Sequence, residues 1–148
     1  MVDETYLGFV QKYNMLIGVL LCSLLPSILF LISPFGFIFP ADIFLVVGCA
    51  LGLFITFKNR KESQSHITTG IVVGFIGSFL ALLLLGFFEW LFFYIPAYGL
   101  EFILLLQLTL ILNAYYGFFY IPVGIVIGYL FGNYYRKKEK VRKGAPLF

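Results

Sequence analysis

The chain has 148 residues, of which 61% are hydrophobic and only 11% are charged, and its mean hydropathy is +1.02. Soluble domains are about 45–50% apolar and about 25% charged, so these values exclude an ordinary soluble protein and predict a chain whose solvent is the lipid bilayer. The formal net charge of +3 does not indicate a nucleic-acid-binding protein. The basic residues form short tracts beside apolar segments and are not spread over a folded face.

The apolar runs predict the number of membrane crossings. A helix needs roughly 20 apolar residues to cross a hydrocarbon core of about 30 Å. We therefore predict one all-α integral membrane domain over residues 1–148, with four transmembrane helices arranged as two hairpins. The predicted spans cover residues 13–33, 41–58, 67–90 and 114–135. Pro26 is expected to kink the first span, and Pro34 to end it, because proline lacks the amide hydrogen that a helix needs.

The start of the chain does not resemble a signal peptide. Asp3 and Glu4 stand where a basic segment would be needed, and no cleavage site of small residues follows the first apolar run. The first span is expected to remain in the mature protein.

The third and fourth apolar runs are longer than one crossing requires. Together they leave a surplus over residues 87–113, which we predict to be a hydrophobic interfacial or re-entrant segment on the outer side. We expect it to cap the outer mouth of the bundle, with breaks at residues 96–99 and 113–117, and not to extend two straight helices into water.

The distribution of basic residues predicts the orientation. All ten Lys and Arg residues lie at Lys12, in residues 58–61 or in residues 136–143. With an even number of crossings they all face one side, and the positive-inside rule makes that side the cytoplasm. We predict a multi-pass protein of the cell (plasma) membrane with both termini cytoplasmic, including a basic tail over residues 136–148. A five-span alternative would divide the basic residues between the two sides and is rejected.

Glycines recur at four-residue spacing in the last three predicted helices. This spacing places them on one helix face, where the absence of a side chain lets helix backbones approach closely in lipid. The residues predicted to pack at helix contacts are Gly48, Gly52, Gly70, Gly74, Gly77, Gly124, Gly128 and Gly132. Glycine is common in membrane helices, which is a simpler explanation for any one pair. Because the glycines lie in the cytoplasmic half, helices two to four are expected to pack closely there and to splay outward, leaving a wedge-shaped cavity or lipid-filled groove.

The glycine motifs follow one another in a definite order along the chain. A hairpin ends in Gly48-x-x-x-Gly52, a short polar loop follows, the next helix opens with Gly70-x-x-x-Gly74-x-x-Gly77, and the last helix has a glycine repeat. This order resembles small four-helix integral membrane families of archaea and bacteria whose function is unknown. The resemblance covers most of the chain, rests on glycine spacing and helix count, and implies no activity.

Three carboxylates are predicted near the outer interface: Asp42, Glu89 and Glu101. Charged groups are costly to bury in a membrane, so such residues are often functional, although a solvated boundary carboxylate is the simpler interpretation. The alternative is that a turn at Pro96 and Gly99 brings Glu89 and Glu101 together as an outer vestibule for a cationic or proton-coupled ligand.

Other polar residues are interpreted as structural. Gln107, Thr109 and Asn113 are expected to form hydrogen bonds between helices. His66 is interpreted as a solvated loop residue without a partner. Cys22 and Cys49 lie inside apolar segments, have no CxxC spacing and are interpreted as inert packing residues.

The sequence predicts no catalytic, cofactor-binding or metal-binding residues. It contains no His-Glu-x-x-His, Gly-x-Ser-x-Gly or phosphate-loop motif. We therefore predict a non-enzymatic membrane component that contacts lipid and other membrane helices, as an accessory subunit of a hetero-complex or as a homo-oligomer. The alternative is a small oligomeric transporter or channel with the three outer carboxylates at its vestibule. Small multidrug transporters depend on a carboxylate in the first helix, and residues 15–32 contain none.

Overall fold

The computed structural model describes residues 12–32, 41–59 and 65–142, with the side chains of residues 41 and 42 outside the description. Every regular element within these ranges is helical, which confirms the predicted all-α class. The helices are α1 (Asn14–Ile32), α2 (Ala41–Lys58), α3 (His66–Glu89), α4 (Ile95–Tyr98), α5 (Phe102–Tyr115) and α6 (Gly117–Arg142), and one π-helical turn, Trp90–Tyr94, joins α3 to α4.

Three helical stretches are long and apolar enough to cross a membrane: Asn14–Ile32, His66–Tyr98 and Gly117–Arg142. Two further apolar helical stretches, Ile43–Lys58 and Phe102–Tyr115, are shorter. Large apolar side chains are exposed on the outward faces of the bundle. A helix that is apolar on its outward face as well as its inward face is typical of a membrane environment, so these findings agree with the predicted membrane protein.

α1 runs antiparallel to α2, and α3 runs antiparallel to α6. α1 packs mainly against α2 and α3, whereas α3 makes its most extensive contact with α6, and α2 also contacts α6 directly. Asn14 contacts Thr56, Tyr135 stacks on Phe57, and His66 pairs with Glu139. The start of α1, the end of α2, the start of α3 and the end of α6 thus share one end of the bundle, which we call the basic end.

At the opposite end, the chain forms an antiparallel structure over residues 87–116, which we call the apolar hairpin. α3 continues through the π turn into α4, so one helical stretch runs from His66 to Tyr98. The chain reverses at Gly99, whose φ of 83° is a left-handed conformation that favours glycine. α5 then returns along α3, and its end at Tyr115 is followed by α6 at Gly117.

The apolar hairpin differs from the predicted cap. Within the described residues, α5 contacts α3, the π turn and α6, and it does not contact α1 or α2. The two breaks lie where they were expected, after Tyr98 and at Tyr116. The segment between them is nevertheless a helical extension beside α3, and the predicted span 67–90 is part of a longer helix.

The helix continues past Pro96 because of the π turn that precedes it. A proline within an α-helix removes one hydrogen bond and clashes with the carbonyl group four residues earlier. Here the amide of Ile95 donates to the carbonyl of Trp90, five residues back. This wider turn absorbs the distortion, as π turns do elsewhere in long helices.

Candidate functional site

Four glycines hold α3 against α6, and we call them the glycine seam: Gly70, Gly74, Gly124 and Gly128. A Cβ atom added to Gly70 would overlap the carbonyl group of Gly128, and one added to Gly74 would overlap that of Gly124. In the reverse direction, a Cβ on Gly124 would lie 2.6 Å from the carbonyl oxygen of Gly74. The obstructing atoms belong to the backbone, so no side-chain rotation could relieve the overlap. The seam therefore depends on glycine at each position.

The other glycines of the predicted set face different partners. A Cβ on Gly48 would meet the ring of Pro26, and one on Gly77 would meet the side chain of Cys22. A Cβ on Gly52 would lie 2.6 Å from the Sγ of Cys22. These three glycines therefore contact α1. The prediction placed the close packing among helices two to four, whereas at these three glycines the close contact is with the first helix.

Gly18 belongs to the same contact and was missed from the sequence. A Cβ there would overlap the hydroxyl of Thr56 and lie 3.2 Å from the carbonyl oxygen of Gly52. Gly18, Cys22 and Pro26 are spaced four residues apart, so the pattern of compact residues continues into α1 and could have revealed this face.

At the basic end, Gly132 lies against the start of α3. A Cβ there would be 2.7 Å from the carbonyl oxygen of His66. The close contact of α3 with α6 thus runs from this end through the glycine seam.

Buried hydroxyl and amide groups link α1 with α2 and α3. The Asn14 side-chain amide donates to the carbonyl of Thr56 at 3.3 Å, and the Thr56 hydroxyl lies 3.4 Å from the carbonyl of Asn14 as well as bonding to the carbonyl of Gly52 within α2 at 2.8 Å. The Ser27 hydroxyl donates to the carbonyl of Ser23 in α1 at 2.9 Å and is shared with the carbonyl of Ala81 in α3 at 3.3 Å. Hydrogen bonds of this kind hold helices together in lipid, where an unpaired polar group is costly.

Both cysteines are free thiols buried among these helices. The Sγ of Cys22 donates to the carbonyl of Cys49 at 3.6 Å, and the Sγ of Cys49 lies 3.7 Å from the hydroxyl of Ser78. No group of three or more His, Cys, Asp or Glu side chains in the described parts of the chain could hold a metal ion.

Two of the three predicted vestibule residues lie at the apolar hairpin. Glu89 ends α3 and is half-buried, whereas Glu101 is exposed at the turn before α5. The indole nitrogen of Trp90 donates to the backbone carbonyl of Glu101 at 2.9 Å, which ties the turn to the π segment. This bond places the backbone of Glu101 beside the residue that follows Glu89. The side chain of Asp42 lies outside the described residues.

The three polar residues of α5 have different environments. Gln107 is exposed, and Thr109 faces α3, with its hydroxyl 3.2 Å from the position of a Cβ on Gly86. Asn113 donates to the carbonyl of Thr109 at 2.8 Å within the same helix. Its Oδ1 is the one buried side-chain polar atom without a hydrogen-bond partner within the described ranges. The expected hydrogen bonding between helices is therefore replaced by an intrahelical bond at Asn113.

His66 has a partner, contrary to its interpretation as a solvated residue. Its Nε2 lies 2.8 Å from a carboxylate oxygen of Glu139. Its ring also stacks on Phe57 at 6.2 Å, and Phe57 stacks on Tyr135 at 4.9 Å. The cluster joins α2, α3 and α6 at the basic end. The sequence did not reveal it because Glu139 is distant from His66 along the chain.

The chain matches no known family model, and no curated protein or solved structure matches it.

Proposed function

We propose that this protein is a non-enzymatic, four-span component of the cell membrane that associates with other membrane helices through its apolar hairpin. The proposal rests on the exposure of the large apolar side chains of this hairpin. Its exposed large apolar side chains are Phe87, Leu91, Phe92, Phe93, Tyr98, Leu100, Phe102, Ile103, Leu106, Leu110, Ile111, Tyr115 and Tyr116. Contiguous apolar surface of this kind marks a membrane or protein contact.

Helix lengths indicate that lipid alone does not cover this surface. α1 has 19 residues and is about 28 Å long, which fits a hydrocarbon core of about 30 Å. The stretch His66–Tyr98 has 33 residues and is about 50 Å long. A tilt of 40°, the upper end of the usual range, would shorten its projection only to about 38 Å. Exposing the excess to water would cost about 1.5–3 kcal/mol for each large side chain, so a partner surface is expected there.

The basic end supports the proposed topology. Lys12 precedes α1, Lys58 ends α2, and the basic residues of 136–142 end α6. All three positions lie at the same end of the bundle, as four crossings with cytoplasmic termini require. A reporter that is active only in the cytoplasm, fused after Phe148, tests this topology. We expect an active fusion, and activity of the matching external reporter would overturn the four-span arrangement.

The geometry gives less support to the alternative of a transporter or channel. Such a function would require a polar path, but the hydroxyl and amide groups of Asn14, Ser27 and Thr56 bond to backbone carbonyls inside the bundle. Hydrogen bonds of this kind strengthen helix packing, so these three groups are engaged in structure.

Site-specific photo-cross-linking tests the association. A photoreactive amino acid is placed singly at Ile103 or Leu106 of the apolar hairpin, and at Leu20 or Leu24 of α1 as matched exposed controls. After illumination of intact membranes, we expect protein adducts from the hairpin positions and few from α1. An adduct of twice the mass indicates a homo-oligomer, whereas another mass leads to a partner identified by mass spectrometry. Equally low yields at all four positions would mean that the hairpin faces lipid and would overturn the proposal.

A further inference from the structure

A groove lies between α2 and α6 at the basic end. Its volume is about 470 Å³, and it is lined by Phe54, Leu130, Phe131, Tyr134, Tyr135 and Lys138. Five of these residues come from α6, where spacings of three and four place them on one face. Phe54, Leu130 and Tyr134 are exposed, so the groove opens to the surroundings of the bundle.

The groove changes from apolar to cationic along α6. Leu130 and Phe131 line the end of the groove nearer the middle of α6, and Lys138 lies about 12 Å from Leu130 along the helix. Tyr135 stacks on Phe57, the residue before the end of α2, so Lys138 projects at the level where the bundle ends. Tyrosines beside a basic residue at this level are typical of the boundary between acyl chains and headgroups.

The charge of Lys138 is available to a ligand. Its Nζ lies 6.0 Å from the centre of the Tyr135 ring, the weak contact of a cation with an aromatic face. The neighbouring acidic residue, Glu139, pairs with His66. Arg136 is also engaged, because its guanidinium donates to the side chain of Asn133 at 3.1 Å.

We propose that this groove binds an anionic phospholipid of the cytoplasmic leaflet. One acyl chain lies against Phe54, Leu130 and Phe131, and the phosphate accepts a charge-assisted hydrogen bond from Lys138 and a hydrogen bond from the Tyr134 hydroxyl. Basic pockets between membrane helices on the cytoplasmic side are suited to anionic headgroups. The assignment to that leaflet rests on the proposed topology, whereas the binding chemistry does not.

Native mass spectrometry of the full chain in a neutral detergent tests the site. The protein is titrated with dioleoyl phosphatidylglycerol or with dioleoyl phosphatidylcholine, which share the same acyl chains. We expect phosphatidylglycerol to be retained preferentially. Lys138→Gln should weaken its binding about fivefold, the effect of one basic group near an anionic lipid. Leu130→Trp should fill the groove and lower the retention of both lipids.

Lys137→Gln is the matched control, because Lys137 is exposed and does not line the groove. It should change lipid retention by less than about twofold. Equal retention of the two lipids by the wild type, or equal losses in the Lys137 and Lys138 variants, would overturn the proposal. Because detergent imposes no orientation, such a result would leave the reporter and cross-linking tests of the proposed function unaffected. An external C-terminus with intact Lys138-dependent binding would overturn only the leaflet assignment.

Discussion

The two ends of the helical stretch His66–Tyr98 make different contacts. Between Gly70 and Ser78, the glycines of the seam bring its backbone against α6, and Val73 and Ser78 are buried there. From Phe87 onward its side chains are mostly large and exposed, and Trp90 is the buried exception. Because no hydrophobic effect draws helices together in lipid, close backbone contact is what stabilises the bundle. The glycine seam therefore stabilises the bundle, whereas the exposed side chains of the apolar hairpin form the surface that we propose a partner covers.

The largest effect is expected from bulk added to the glycine seam. Gly74→Leu or Gly128→Leu would force the backbones of α3 and α6 apart and should cost about 2 kcal/mol or more. Thermal unfolding in a mild detergent measures the loss. Ala114→Leu adds bulk at an exposed position of α5 and should melt like the wild type. Wild-type melting of both glycine variants would mean that the seam does not stabilise the fold.

An intermediate effect is expected at the hydrogen bond that joins Trp90 to the turn of the apolar hairpin. Trp90→Phe keeps an aromatic ring but removes the indole donor to the Glu101 carbonyl, at a cost of about 1 kcal/mol. The loss should be local, so amide hydrogen exchange should become faster in α5 and remain unchanged in α1. Phe93→Leu at a neighbouring exposed position serves as the control. Unchanged exchange in α5 would show that Trp90 does not hold the turn.

A smaller effect is expected from the buried hydroxyl of Thr56. Thr56→Val removes its hydrogen bonds to Gly52 and, across the helix contact, to the Asn14 carbonyl while keeping a β-branched side chain, and it should cost about 0.6 kcal/mol. Thr68→Val is a matched control because the Thr68 hydroxyl is exposed and bonds only weakly, at 3.4 Å, to Ser65. If the two variants lost equal amounts of unfolding free energy, the buried hydrogen bond would contribute nothing.

Sequence reasoning was most reliable where the physical signal is local. Residue types predicted the helical class and the breaks near Gly99 and Tyr116, because a left-handed turn and the end of an apolar run can be read within a few residues. The four-residue spacing identified a compact face on α2. It could not identify the facing helix, which for Gly48 and Gly52 is α1, since that depends on the arrangement of the whole bundle.

The remaining differences depend on tertiary structure or on an uncommon local geometry. The partner of His66 is Glu139, in a helix far along the chain, so no local pattern could predict the pair. The expected break at residues 96–99 falls at its far end, after Tyr98, because the π turn before Pro96 lets the helix continue through the proline. The returning helix α5 consequently runs beside α3, and the apolar hairpin does not fold over α1 and α2.

Thermal unfolding of two variants, measured side by side, tests most directly whether the glycine seam stabilises the fold and the exposed side chains of the apolar hairpin do not. Gly128→Ala adds one methyl group against the carbonyl of Gly70, whereas the double variant Ile103→Ala, Leu106→Ala removes exposed bulk from the apolar hairpin. In detergent, Gly128→Ala should melt several degrees below the wild type, because each kcal/mol of lost stability lowers the melting temperature by roughly 2–4 °C. The double variant should melt at the same temperature as the wild type. A large loss for the double variant together with wild-type melting of Gly128→Ala would contradict the account.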